Sequence, residues 1–109
     1  ELPLLSDYEN RPRQKVDYRN GKEAVTRYDI LDVVGYKGKQ CALVRFEPLT
    51  GRTHQLRVHS AYKDGLDVPI VGDALYGRLA DRLMLHAASL EFRHPVTGEK
   101  VSITARIPF

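Results

Sequence analysis

The densest run of chemically capable side chains in this sequence is Arg52-Thr53-His54-Gln55-Leu56-Arg57-Val58-His59. Spaced histidines first suggest zinc. Five positions along a helix rotate a side chain by about 140°, so His54 and His59 do not share a face as the i, i+4 pair of a zinc-protease helix does. The chain has one cysteine, Cys41, and His86 and His94 lie on another element, so nothing completes a tetrahedral site. No metal centre is expected. Ser60, Ser89 or Cys41 could act as a nucleophile with a histidine, yet no Gly-x-Ser-x-Gly elbow is present, and Gly35 and Gly38 lack the context of a phosphate-binding loop.

What remains is the arginines and their polar neighbours. Arg52, Gln55 and His59 recur at i, i+3, i+7 and share one helical face, while Arg57 projects toward the edge of the apolar stripe. An arginine at the rim of a core either holds a buried carboxylate through a bidentate pair or snorkels into solvent, and periodicity leaves both roles open. A second basic group, Arg11, Arg13, Lys15, Arg19 and Lys22, crowds the N-terminal stretch, and Arg45 joins Arg52 and Arg57 around the central motif. Such residues suit phosphate contact or a solvated face.

These residues need elements to position them. Leu2 to Leu5 reads as a strand, Ser6 to Pro12 as a loop, and Lys15 to Tyr18 as a short strand closed by a hairpin turn at Asn20-Gly21. Glu23 to Val34 and Gln40 to Phe46 form a second antiparallel hairpin about the turn at 35–39, ended by Pro48. Thr53 to Lys63 contains neither glycine nor proline and reads as a helix with Thr53 as its N-cap, ended by Gly65. Leu66 to Leu79 is loop-like. Arg82 to His94 and Lys100 to Ile107 form a last hairpin about Pro95-Val96-Thr97-Gly98. The sum is an α+β fold, a mainly antiparallel mixed sheet with one main helix packed on a face.

Composition bounds the class. With 109 residues, 42% apolar and 28% charged, the chain suits one soluble unit, and no apolar run approaches the roughly 20 residues that span a bilayer. A net charge of +3 permits contact with phosphate without making a strong electrostatic footprint. Cys41, in the apolar run Cys41-Ala42-Leu43-Val44, fits a buried small hydrophobe in a reducing cytoplasm. The start at Glu1, with a strand beginning at once, reads as a cut through a longer protein.

The string Pro48-Leu49-Thr50-Gly51-Arg52-Thr53-His54-Gln55-Leu56-Arg57-Val58-His59 resembles the signature near the end of the catalytic domain of RluA-type pseudouridine synthases. Asn10 to Val16, Gly21 to Thr26, Val71-Gly72-Asp73-Ala74-Leu75-Tyr76-Gly77, Leu83-Met84-Leu85-His86-Ala87 and His94-Pro95 extend the resemblance over essentially the whole chain. It implies isomerisation of uridine to pseudouridine in ribosomal or transfer RNA, without cofactor or metal, by an aspartate that attacks a flipped-out nucleotide. Arg57 matches the arginine paired with that aspartate. Leu85 lies in the strand motif that faces the target base, with Leu83 and Met84 as alternatives for the contact. Arg52, His54 and Gln55 either touch RNA and position the helix or make turn and sheet-edge hydrogen bonds. Arg11, Arg13, Lys15 and Lys22 would then meet phosphates. The roles are physically consistent, because a carboxylate in a tight pocket needs a cation to stay ionised and an unstacked base needs stacking surface.

The family's nucleophile stands in a His-Arg-Leu-Asp motif, with a tyrosine motif beyond it, and neither occurs here. Asp7, Asp17, Asp29, Asp32, Asp64, Asp67, Asp73 and Asp81 all lack that context, so the partner of Arg57 is expected outside this chain. Residues 1–109 then form the C-terminal part of a catalytic domain, inactive alone, whose partners are RNA and the missing N-terminal half. The surface left by that half could drive a fragment dimer. A non-catalytic RNA-binding module is the alternative from another class, and a structural protein that associates through its sheet edge is a third.

Overall fold

A computed structural model describes residues 1–78, 80–93 and 95–105. The expected strand ends at His94 and Ile107 lie outside the described residues, as does Leu79. Among the described residues the architecture is α+β: three antiparallel strand pairs and one α-helix. Its radius of gyration, 15.5 Å, exceeds the roughly 13 Å of a compact chain this long, because the longest hairpin stands away from the core.

The N-terminal pair joins β1 (Leu4–Ser6) to β2 (Gln14–Val16), with Leu4 opposite Val16 and Ser6 opposite Gln14. Between them runs a 3-10 turn, Tyr8–Asn10. The turn at Asn20-Gly21 does not close a hairpin on β2, contrary to the sequence expectation. Asp17 organises it, its Oδ1 accepting the N–H groups of Arg19 and Asn20 at 3.0 and 2.9 Å. The chain thereby swings Lys22 to the other edge of β1, where Leu4 and Lys22 exchange backbone hydrogen bonds of 2.9 and 2.7 Å.

β3 (Thr26–Tyr36) and β4 (Lys39–Pro48) make the long hairpin. Lys37 and Gly38 turn it with φ of 48° and 79°, the doubly positive pattern whose twist matches that of the strands. A register shift between Ile30 and Asp32 leaves Leu31 as an extra residue and switches the faces of the strand. Tyr28, Ile30, Leu31 and Val33 are exposed, as is nearly the whole of β3 on both sides of the bulge. Cys41 on β4 is half-buried rather than fully inside.

The helix α1 (Gln55–Ala61) is shorter at both ends than expected, and His54, in the left-handed region at φ 54°, takes the N-cap position in place of Thr53. The reason is Gln55. Its buried amide oxygen accepts the Arg52 N–H at 3.0 Å and the Thr50 hydroxyl at 2.7 Å, while its amide nitrogen donates to Val25 O and Thr26 Oγ1, both at 2.9 Å. At the other end Tyr62 is extended, and the N–H groups of Leu66 and Val68 return to the carbonyls of His59 and Ser60. Gly65 permits this, since a Cβ there would overlap the His59 carbonyl.

The last pair, β5 (Ser89–Arg93) and β6 (Lys100–Thr104), is shorter than the sequence suggested, because residues 83–88 run outside any strand. Among the described residues the core cluster is Leu4, Ala24 and Val58, with Val16 and Tyr76 packed against it and Leu2 also buried. It locks α1 onto the N-terminal strands and the base of the long hairpin.

Candidate active site

Arg57 leaves the first turn of α1 and meets Asp73. Its Nη2 donates to Oδ1 at 2.7 Å and its Nε to Oδ2 at 3.1 Å, a bidentate pair between a largely buried guanidinium and a carboxylate with no exposed surface. Arg57 therefore has a carboxylate partner within this chain, which the sequence reading did not foresee. The loop after the helix supplies it. Gly77 N–H bonds the Asp73 carbonyl at 2.8 Å, and Asp73 Oδ1 accepts the N–H groups of Leu75 and Tyr76 at 3.1 and 3.2 Å. The turn shapes the carboxylate, and the carboxylate shapes the turn.

Tyr76 completes the assembly. Its ring lies under two guanidiniums, with Arg57 5.4 Å and Arg13 5.3 Å from the centroid. Its hydroxyl accepts the Gln14 N–H at 2.8 Å and lies 2.7 Å from His54 Nδ1. The phenol, already accepting the Gln14 N–H, finds an acceptor for its own proton in Nδ1, which leaves His54 neutral with its proton on Nε2. The two rings also meet edge to face, 5.6 Å between centroids.

The electrostatics follow from this geometry. Burial alone would push the Asp73 carboxyl up, but the Arg57 guanidinium and the N–H groups of Tyr76 and Leu75 outweigh it and hold the group below the ordinary carboxylate range. The same hydrogen bond raises Arg57. Burial, then the charge of Arg57, pushes His54 down against the opposing pull of Asp73. Burial raises the Tyr76 phenol.

Asp73 is enclosed and cannot reach a ligand. It consumes two of the five N–H donors of Arg57 and leaves three for another group. A cleft of about 230 Å³ is lined by Arg57 with Pro48, Arg52, His54, Leu56 and Leu85 among others. Leu85 is brought there by close packing of two backbones. Met84 N–H bonds Val71 O at 2.9 Å, and Gly72, at φ 84°, lies so near the Arg82 carbonyl that a Cβ would overlap it.

The structure thus assembles Arg52, His54, Gln55, Arg57 and Leu85 around one cleft and places Arg11 and Arg13 with His54 around a second. Lys15 and Lys22 are exposed and line neither. Gln55 is 4% exposed with both ends of its amide engaged, which is the turn and sheet-edge bonding left open above rather than an RNA-facing role. Arg52 spends Nε on the Glu23 carbonyl at 2.7 Å. His59, its helical neighbour in the sequence reading, is structural: its ring nitrogens bridge Thr26 Oγ1 at 2.9 Å and Leu2 O at 2.8 Å. Among the described residues no group of three or more His, Cys, Asp or Glu is arranged to hold a metal ion.

Sequence reasoning passed over Asp73 and Tyr76 as site residues. The available signal was the spacing Gly72-Asp73-x-x-Tyr76-Gly77, an aspartate followed at two and three positions by the N–H groups it caps.

A family model described as RNA pseudouridylate synthase matches residues 2–62, which run from before β1 through α1 and include Arg57. The dual-specificity RNA pseudouridine synthase RluA of Haemophilus ducreyi is 44% identical over 113 residues, covering 99% of this chain and 48% of that protein. Its Escherichia coli counterpart is 41% identical over 114 residues, covering 100% and 49%. A solved structure, human RNA Pseudouridylate Synthase Domain Containing 1, superposes with a TM-score of 0.80 at 32% identity over 99% of this chain and 47% of that one. The chain spans about half the length of these relatives. With a match to more than half its residues, this chain belongs to the RNA pseudouridylate synthase family.

Proposed function

We propose that this chain supplies the arginine and the base-facing apolar segment of an RNA pseudouridine synthase acting on ribosomal or transfer RNA in the cytoplasm. The observation that carries the reading is the cleft that Arg57, braced on one edge by Asp73, lines together with Leu85. Uridine and pseudouridine are isomers, so the reaction exchanges a C–N for a C–C bond at one sugar carbon and needs no redox partner. Arg57 would hold an attacking aspartate ionised, and Leu85 would cover the face of the unstacked base. Residues 1–109 are read as the C-terminal part of the catalytic domain, with the aspartate contributed by an N-terminal half.

Tritium release from RNA labelled at uridine C5 tests both parts. The full product of the reading frame should turn over and the 109 residues alone should not. Turnover by the 109 residues sinks the division of labour, and none by the full product sinks the enzyme reading. Exposed Tyr28, Ile30, Leu31 and Val33 support the view that another segment covers β3, and the isolated chain should dimerise through them. A monomer in sedimentation velocity at tens of micromolar removes that view.

A further inference from the structure

The second cleft, about 400 Å³, lies across His54 from the first and shares that residue with it. Its size falls within the usual range for a small-molecule site. Its walls are unlike the first cleft's. Tyr8 and Arg11 form one side, with the Arg11 guanidinium 4.9 Å from the centroid of a phenol ring that is 68% exposed. Arg13, laid against Tyr76, and the Thr53 and His54 segment form the rest. Among the described residues the ion pairs are Lys37–Asp81, Arg45–Asp29 and Arg57–Asp73, so neither Arg11 nor Arg13 is neutralised by a carboxylate. The Arg11 guanidinium lies over one face of the Tyr8 ring, which leaves the opposite face of this exposed side chain as a stacking platform for a base, and an unpaired guanidinium nearby is a phosphate contact.

We infer that this second cleft is a nucleotide subsite, in which a base stacks on the Tyr8–Arg11 platform and its phosphate meets Arg13. Resting on the function proposed above, the occupant is a nucleotide of the same strand adjacent to the one beside Arg57, because the two clefts have His54 as a common wall. His54 fits that place. It lines both clefts, and with Nδ1 taken by the Tyr76 hydroxyl its Nε2–H is the ring donor left for a sugar or phosphate oxygen. The subsite would set strand position and the preference for the flanking base.

The probes are fluorescein-labelled nonauridylate and the same oligonucleotide with alternate bases removed, titrated by anisotropy against the full product of the reading frame at several salt concentrations. Tyr8→Ala should weaken nonauridylate binding on the order of tenfold and leave the partly abasic probe nearly unaffected. Arg13→Ala should weaken both probes and flatten the slope of log affinity against log salt by about 0.7. Circular dichroism checks that both variants fold. Equal affinity of wild type and Tyr8→Ala for nonauridylate, or a salt slope unmoved by Arg13→Ala, overturns the subsite. Tritium release measured in parallel separates the two readings: binding effects without turnover leave the subsite standing and remove the synthase, while turnover without them does the reverse.

Discussion

Asp73→Ala tests whether the Arg57–Asp73 pair holds the site together. The carboxylate has no exposed surface, accepts from the Leu75 and Tyr76 N–H groups, and takes two bonds from a guanidinium whose side chain is 19% exposed. Removing one partner of a buried pair costs about 3–5 kcal/mol. Solvent reaching Arg57 recovers part of this, which leaves roughly 3 kcal/mol, a large share of the 5–15 kcal/mol that stabilises a typical domain. Asp73→Asn keeps shape and acceptor oxygen and should cost less. Arg57→Met leaves Asp73 enclosed without its cation, and the carboxyl should take up a proton. A double-mutant cycle between Asp73→Asn and Arg57→Met, read by urea unfolding at neutral pH, should give a coupling of at least about 1 kcal/mol. The sign with pH is fixed by the depressed carboxyl: the coupling is complete above the ordinary aspartate range and vanishes as pH falls through the folded value. A coupling below about 0.5 kcal/mol at neutral pH would refute the claim that the two side chains form one unit.

Two further outcomes are expected. Burial lowers His59 despite its bond to Leu2 O, and burial with the charge of Arg57 lowers His54. Both therefore bind protons more readily unfolded. Their contribution is complete above about pH 6.5 and declines as pH falls toward the folded values. The urea midpoint should drop between pH 7 and pH 5.5, and His59→Gln should flatten that drop; a wild-type midpoint constant over this range contradicts the neutral assignments. Gly72→Ala introduces a Cβ overlapping the Arg82 carbonyl at φ 84°, so it should destabilise by about 2 kcal/mol or more. Gly38→Ala, at φ 79° with open space around it, should cost only about 1 kcal/mol. Equal thermal shifts for the two variants would mean that backbone contact at Gly72 is unimportant.

The long hairpin was legible because β-branched and aromatic residues fill both strands around a Lys-Gly turn, and the helix because 53–63 lacks breakers. The misplaced details are long-range in origin. The bulge at Leu31 leaves no mark on the local pattern, and nothing in the run of β-branched and aromatic residues marks β3 as exposed on both sides of it. The Asn20-Gly21 dipeptide predicts a hairpin on β2, but the Asp17 side chain, not the dipeptide, directs the chain back to β1. The helix start was set too early because Gln55, a residue seldom read as a clasp, bonds backward to Arg52 and sideways to β3. Arg57 was readable as half of an ion pair, but Asp73 lies in a loop whose return depends on Gly65 and Gly72 fitting against other backbones.

That in-chain partner changes the electrostatic problem the proposed enzyme must solve. An isolated Arg57 would offer an attacking aspartate a full positive charge, whereas the Arg57–Asp73 pair is neutral overall and offers a local donor edge instead. The attraction at the edge survives because the nearer charge dominates at hydrogen-bonding distance, but the long-range field of Asp73 subtracts from it. A nucleophile bound there would be oriented strongly and acidified only moderately. Asp73→Asn therefore acts in two opposite ways on the full product of the reading frame: it loosens the guanidinium, which lowers kcat, and it removes a negative charge, which shifts the acidic limb of the pH–rate profile downward. A purely structural Asp73 would lower the amount of folded protein and leave the limb where it was.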